Sequence, residues 1–140
     1  METKIQTTTV GEGEKEKMII EKAHEIFANW NESLQTKDPQ KVAALYSKDC
    51  TFLPTVSPEF KRGQDGAEEY FHHFLEKDPN GTIVEDAVQV IPAGSILHSG
   101  RYDFEVGPEN ERQIVEARFS FVYKPDGEIM HHHSSKKPVA

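Results

Sequence analysis

The chain is poor in cysteine, in basic residues and in long apolar segments. Cys50 is the one cysteine among 140 residues, so an intramolecular disulfide is excluded, and its apolar surroundings favour a small buried side chain. No apolar run approaches the roughly 20 residues that a membrane-spanning helix needs. The 24 Asp and Glu residues outnumber 16 Lys and Arg residues, which gives a net charge of −8 and no basic stripe. The composition therefore argues against nucleic-acid and membrane partners.

The first residues differ in character from the rest of the chain. Residues 1–14 lack apolar periodicity and contain three consecutive threonines and two glycines, so we predict that they are disordered. This polar, charged start has no apolar segment of the kind a signal peptide carries, and we expect a cytoplasmic protein. Residues 15–138 are predicted to form a single domain, because a chain of this length can bury a core of its own.

Three helices are predicted in the first half of the chain. The first is long and amphipathic, with an apolar face at helical spacing formed by Ile19, Ala23, Ile26, Phe27, Trp30 and Leu34. Asp38 is a good N-cap and Pro39 a good first residue for a short second helix over residues 40–46. A third helix is predicted over residues 67–77, after a loop that contains two glycines.

The second half reads as strands. A strand over residues 50–56, broken by Pro54, is followed after the third helix by strands over residues 82–91, 96–106, 112–123 and 128–134. The last two strands are joined by Asp126-Gly127, a strong hairpin signal. Helices followed by an antiparallel meander indicate an α+β fold, with about three N-terminal helices gathered on one face of a curved sheet. A cavity between helices and sheet is the usual ligand site in such a fold.

Alternation along two strands separates arginine from aromatic side chains. Arg101 and Arg118 fall on one face of their strands, and the aromatic residues fall on the other. One interpretation makes the aromatic face the core and leaves the arginines in solvent. The other turns the arginines into the cavity and leaves the aromatic face for a second subunit, since exposed aromatic sheets usually mark an interface.

Three consecutive histidines on the last strand raise the question of a metal. His131 and His133 share one face of the strand, and His132 lies on the other. A metal site needs a third protein ligand, and no Asp, Glu or Cys sits nearby at a suggestive spacing, although His98 or the pair His72-His73 could contribute from other elements. We therefore predict no metal and no cofactor, and we expect the histidines to serve as hydrogen-bonded structural or interface residues.

Several segments occur in the order found in the nuclear-transport-factor-2-like (NTF2-like, or SnoaL-like) superfamily. They include Lys37-Asp38-Pro39, Gly100-Arg101-Tyr102-Asp103-Phe104 and the terminal hairpin. Over residues 18–138 the chain most resembles the association (hub) domain of calcium/calmodulin-dependent protein kinase II, whose last strand is similar to His131-His132-His133-Ser134-Ser135. The resemblance implies an NTF2-like cone that assembles into a homodimer or a larger ring.

The same resemblance implies a cavity that binds a small carboxylic acid. Hub domains project three arginines into the cavity; two survive here as Arg101 and Arg118, and the third position holds Ser134. Guanidinium groups bind a carboxylate bidentately, which is the physical reason for an acidic ligand. We expect the cavity to be lined by Arg101, Arg118, Trp30, Tyr46, Phe71 and His132. We expect the oligomer interface to contain Tyr102, Phe104, Phe119, Phe121, Tyr123, His131 and His133.

The alternative is a small enzyme of the SnoaL-like or ketosteroid-isomerase type, acting on a hydrophobic or polyketide-type substrate. That chemistry needs a general base and a hydrogen-bond donor for the developing enolate. The donor tyrosine of the isomerases matches Trp30 here, and the strand that carries their aspartate base has no carboxylate over residues 51–55. We therefore assign no catalytic residue and predict a non-catalytic, homo-oligomerising domain.

Overall fold

The computed structural model describes residues 7–9 and 13–139 and shows an α+β fold. The elements, in chain order, are β1 Thr7–Thr9, α1 Gly13–Gln35, α2 Pro39–Ala43, β2 Tyr46–Leu53, β3 Lys61–Arg62, α3 Gly63–Phe74, a 3-10 turn at Leu75–Lys77, β4 Asn80–Ile91, β5 Ser95–Val106, β6 Gln113–Tyr123 and β7 Ile129–Lys136. The α+β class is confirmed, and α1 to α3, β2 and β4 to β7 occur in the predicted order, whereas β1 and β3 lie in segments that were not predicted to be strands. None of the described helices is long and apolar enough to cross a membrane.

The helices follow the signals in the sequence. In α1 the buried residues are Ala23, Phe27, Trp30 and Leu34, which recur at the spacing of one helical face. Asp38 caps α2 by accepting a hydrogen bond from the Gln40 backbone N–H at 3.0 Å, and Pro39 opens the helix as predicted. The chain leaves α1 through Lys37, whose φ of 59° is left-handed. Helix α2 ends at Ala43, three residues earlier than predicted, because β2 already begins at Tyr46.

Seven strands form one sheet in the order β1-β4-β5-β6-β7-β2-β3. Strands β4 to β7 form the predicted antiparallel meander, while β2 runs parallel to β7 and β1 runs parallel to β4. The pair β2–β7 places Phe52 beside His132, which joins the helical half of the chain to the terminal hairpin. The sheet is therefore antiparallel in its centre and has parallel pairs on both sides.

The segment predicted to be disordered contains β1. Residues 1–6 and 10–12 of that segment lie outside the described residues. Thr7–Thr9 pair with residues 86–88 of β4, and Gly13 already belongs to α1. A run of threonines has high strand propensity, and an uncovered strand edge gives it backbone partners that the sequence alone does not reveal.

The core lies between α1, α3 and one face of the sheet. Its largest fully buried side chains are mainly aromatic and include Trp30, Tyr46, Phe52, Phe71, Tyr102, Phe104, Phe121 and Tyr123. Two histidines, His98 and His132, are buried among them. We call the sheet surface that meets the helices the inner face and the opposite surface the outer face.

Candidate functional site

The aromatic residues of β5 and β6 point to the inner face. Tyr102, Phe104, Phe119, Phe121 and Tyr123 are each at most 4% exposed within the single chain. Phe119 and Phe121 lie within about 6.4 Å of the Phe27 ring on α1, measured between ring centroids. The prediction that these five side chains form a subunit interface is therefore wrong: they are the chain's own core, because α1 covers them.

The two arginines lie on the outer face. Arg101 and Arg118 are register partners on β5 and β6, and alternation with the buried aromatic residues turns both guanidinium groups away from the helices. Arg101 Nε donates to Glu85 Oε1 at 2.6 Å, and both side chains are more than 40% exposed. Arg118 donates to Ser135 Oγ at 3.2 Å. The prediction that these arginines converge in the cavity is wrong. Because no guanidinium group of this pair faces the cavity, the physical reason for expecting an acidic ligand there is removed.

The histidines of β7 divide between the faces as alternation predicts. His131 and His133 are on the outer face, where His131 Nδ1 lies 2.7 Å from Thr51 Oγ1 and His133 is exposed. Partial burial, with the nearby His133, lowers the pKa of His131. His132 is on the inner face and is 2% exposed. The interface role predicted for His131 and His133 is thus compatible with their place on the outer face. His132, which is buried on the inner face, is not available for such a role.

His132 stands in the middle of a buried hydrogen-bond chain. Its Nδ1 lies 2.8 Å from the Tyr46 hydroxyl, which accepts from Trp30 Nε1 at 3.1 Å. Its Nε2 lies 3.2 Å from the Tyr102 hydroxyl, which donates to Ser134 Oγ at 2.6 Å. Each of these polar atoms is buried, so each needs its partner.

The direction of this chain can be assigned from its donors. Because the Tyr102 proton is used on Ser134, a neutral His132 must donate from Nε2 and accept at Nδ1 from Tyr46. The order of donation is then Trp30, Tyr46, His132, Tyr102 and Ser134. Burial, reinforced by the neighbouring histidines, lowers the pKa of His132 well below its ordinary value. The network therefore holds a neutral imidazole.

The four core residues predicted to line a ligand cavity, Trp30, Tyr46, Phe71 and His132, come together, but they fill the space between them. Trp30 and His132 have ring centroids 5.6 Å apart, and Tyr46 lies 6.1 Å from His132 and 5.9 Å from Phe71. These are packing distances for aromatic rings. The Trp30 N–H, at the position of the isomerase donor, is bonded to Tyr46 and does not face an open cavity. A ligand role for these residues stays a prediction.

The hydrogen-bond chain ends near a surface groove. Ser134 bonds to Thr55, which is half-buried and is followed in the chain by Val56. Val56 lines a groove of about 360 Å³ together with Tyr70, whose side chain is buried. Burial raises the pKa of Tyr70, so this hydroxyl stays protonated. The buried hydrogen-bond network thus reaches the wall of the groove.

A second polar cluster forms where β4 bulges. The register pairs Ile83 with Tyr102 but Glu85 with Arg101, so β4 has one extra residue there. The bulge reverses the alternation, and Asp86 instead of Glu85 turns to the inner face. Gly100 permits the close approach of β5, because a Cβ atom there would lie 2.1 Å from the Glu85 carbonyl oxygen. The local backbone is thus arranged to bury one carboxylate.

Asp86 meets two histidines. His98 Nε2 on β5 and His24 Nε2 on α1 each lie 2.7 Å from Asp86 Oδ2. The Asp86 and His98 side chains are fully buried, whereas that of His24 is 33% exposed. His98 Nδ1 is 2.9 Å from the buried Tyr123 hydroxyl. Burial lowers the pKa of His98, although the Asp86 carboxylate opposes that shift.

The sequence contains only weak signals for this cluster. His98 is among the residues that could contribute to a metal site from another element, whereas Asp86 and His24 were not predicted. His24 directly follows the buried Ala23 on the covered side of α1, and Gly100 in a strand interior is typical of a bulge or a close backbone approach. The pairing itself spans 62 residues between His24 and Asp86 and depends on tertiary structure.

Comparison with known proteins shows the family. A family model described as "Calcium/calmodulin dependent protein kinase II association domain" matches residues 20–138, and the chain belongs to this family. Among solved structures, a calcium/calmodulin dependent protein kinase II association domain from Xanthomonas campestris is similar, with 35% identity and a TM-score of 0.81; the match covers 100% of this chain and 99% of that one. No curated protein matches the chain.

A second solved structure is similar in fold. SalBIII, an epoxide hydrolase/cyclase-like enzyme with a role in pyran ring formation in the polyether salinomycin, has 17% identity and a TM-score of 0.65. That match covers 84% of this chain and 92% of SalBIII. At this identity the likeness shows a shared fold alone and carries nothing about activity.

Proposed function

We propose that this protein is a non-catalytic, self-associating domain whose copies meet through the outer face of the sheet. The observation that supports the proposal most is the division of that face into two parts. One part, the neutral half, is bordered by Arg62, the register partner of Thr51 on β3, and comprises the uncharged or histidine side chains Thr51, Leu53, Ala87, Leu97, Ser99, Ser120, Val122, His131 and His133. The other part, the charged half, comprises Glu85, Arg101, Asp103, Glu116 and Arg118.

The composition of the neutral half is typical of a surface that contacts another protein molecule. Leu97 and Val122 are register partners at its centre, and His131 lies beside Val122 on β7. No described helix lies over it, because α1 and α3 pack on the inner face. A face of small and apolar side chains can meet the same face of a second copy across a two-fold axis. Membership of the association-domain family supports the same assignment.

The charged half would border this contact. Arg101 is paired with Glu85 and remains hydrated at more than 40% exposure, so its burial is not required. Interfaces commonly combine a central apolar patch with a polar rim. Arg101 and Arg118, which were predicted to bind a ligand, are therefore better suited to the edge of a subunit contact.

The test compares two identical changes on one strand. Val122→Glu places a carboxylate in the neutral half, whereas Ile114→Glu places one at a position that is 56% exposed beside Glu105. Burying an uncompensated charge is costly, and even about 2.8 kcal/mol would weaken association about 100-fold. We expect wild-type protein and Ile114→Glu to form particles larger than the 15.9 kDa chain by light scattering, and Val122→Glu to shift toward monomer.

Two outcomes would contradict the proposal. One is a wild-type protein that remains monomeric over the concentration range tested, and the other is a Val122→Glu protein with the wild-type particle mass. Far-UV circular dichroism of both variants separates loss of association from loss of fold. A loss of mass in both variants would place the contact elsewhere on the chain.

A further inference from the structure

We infer that His24, Asp86 and His98 form a binding site for one divalent first-row transition ion, with Zn²⁺ as the probe. Within the part of the chain that the structure describes, they are the one group of three such side chains whose ligand atoms all lie within 4.8 Å of one another. The site is on the inner face, between α1 and the sheet. It is independent of the association proposed for the outer face.

The donor set has the chemistry of a transition-metal site. Two imidazole nitrogens and one carboxylate oxygen are ligands that Zn²⁺ accepts, and three protein ligands leave a fourth position for water or another group. The three residues come from α1, β4 and β5, so the site clips the long helix to the sheet. Asp86 supplies the kind of third ligand that the histidines of β7 lack among the described residues.

The geometry requires a small adjustment. Bonds of about 2.1 Å at tetrahedral angles place neighbouring ligand atoms about 3.4 Å apart. The two nitrogens now lie 2.7 Å from Asp86 Oδ2, so the ion would separate each pair by roughly 0.7 Å. Each imidazole would bind the ion through an unprotonated Nε2 and keep its ring proton on Nδ1, so that His98 Nδ1 would donate to the Tyr123 hydroxyl. Asp86 and His98 are fixed in packed strands, whereas His24 is one third exposed and has room to move.

The surroundings also support a ligand role. A metal-binding imidazole commonly hydrogen-bonds through its other nitrogen, and His98 Nδ1 already has the Tyr123 hydroxyl at 2.9 Å. The bulge at residue 84 and the close strand approach at Gly100 bring Asp86 toward the two histidines. Bulges are often found next to functional sites. The exposed edge of His24 gives an ion an entry path.

The experiment is a calorimetric titration of metal-free full-length protein with Zn²⁺, repeated with Co²⁺ to record visible absorption. Three variants are compared with the wild type: His24→Ala removes a ligand, His72→Ala removes an exposed histidine of α3, and His133→Ala removes an exposed histidine of β7. We expect one ion per chain for the wild type, His72→Ala and His133→Ala. We expect His24→Ala to bind at least about tenfold more weakly, as loss of one ligand predicts.

Thermal unfolding provides a second readout. An ion that binds only the folded state raises the melting temperature, so Zn²⁺ should stabilise the wild type and not His24→Ala. Circular dichroism without metal shows whether His24→Ala is folded. The inference is overturned if the wild type binds no ion, if His24→Ala binds as tightly as the wild type, or if only His133→Ala loses binding.

Discussion

The two faces of the central sheet are made by alternate residues of the same strands, yet they differ in almost every physical property. On β6, Phe119 and Phe121 are buried under α1, while Arg118 and Val122 face outward. The inner face holds stacked rings and a complete hydrogen-bond network. The outer face holds a charged half and a neutral half that no described helix covers.

This difference separates stability from association. Because neighbouring residues point in opposite directions, a substitution at one position should change folding and a substitution at the next should change self-association. Each face can therefore be altered with the other left in place.

The largest effect is expected on the inner face. Phe121 is 0% exposed and stacks on His132 with ring centroids 4.0 Å apart. Phe121→Ala should lower the free energy of unfolding by about 3–5 kcal/mol, since it removes a buried ring and leaves a cavity. Urea unfolding at fixed protein concentration measures the change. Ser120→Ala, next to it on the outer face, should change the value by less than about 0.5 kcal/mol.

Equal losses of unfolding free energy for Phe121→Ala and Ser120→Ala would contradict the proposed difference between the two faces. A small loss for Phe121→Ala would mean that the ring is replaceable or that the inner face is loosely packed. A large loss for Ser120→Ala measured in the Val122→Glu background, where association is expected to be lost, would mean that the outer face contributes to folding of the single chain.

A second effect concerns pH and the inner face. Burial holds His132 neutral in the folded protein, while the unfolded chain takes up a proton below a pH of about 6.5. The stabilisation is thus complete above that pH and is lost as the pH falls below it, by up to about 1.4 kcal/mol per pH unit for one histidine. The titratable groups facing it are Tyr46 and Tyr102, with His131 and His133 adjacent in sequence, and none is an acid that would offset the charge.

Chemical unfolding at a series of pH values between about 7.5 and 5.5 measures this dependence. His132→Gln should reduce the slope, whereas His133→Ala on the outer face should leave it nearly unchanged. An unfolding free energy that stays constant over this range would contradict a buried neutral His132.

The smallest effect is expected in the charged half of the outer face. Arg101 and Glu85 form an ion pair at 2.6 Å, but both side chains are more than 40% exposed. Hydration and side-chain entropy reduce the contribution of such a pair to stability. Arg101→Ala should therefore lower the free energy of unfolding by less than about 1 kcal/mol in the same assay. Raising the salt concentration should reduce this small cost further. A loss comparable to that of Phe121→Ala would contradict the placement of Arg101 on a hydrated surface.

Local signals in the sequence predicted most of the fold. Asp126-Gly127 marked the hairpin, Asp38 and Pro39 marked the start of α2, and alternation separated Phe119 and Phe121 from Arg118. These features depend on residues close together in the chain. The start of β2 at Tyr46 was missed, because the polar residues 47–49 do not alternate as a half-buried strand should and the strand is defined by its parallel partner β7.

The candidate sites were harder to predict, because they depend on contacts between distant elements. Alternation alone favoured the aromatic face as the core; the resemblance favoured the arginines, and the structure agrees with alternation. The Asp86 cluster requires a bulge that shifts β4 by one residue, and the extra residue is defined by the pairing of β4 with β5 and not by β4 alone. His24 and His98 meet Asp86 only after α1 packs on the sheet.

The central claim, that a second copy covers the neutral half of the outer face, is tested most directly by histidine modification. His133 on that face and His72 on α3 are both exposed in the single chain. At a concentration where light scattering shows an assembly, brief treatment with diethylpyrocarbonate and mass spectrometry should find His133 protected and His72 modified, with protection of His133 lost in Val122→Glu. Modification of His133 as fast as His72 in the assembled wild type would contradict the account.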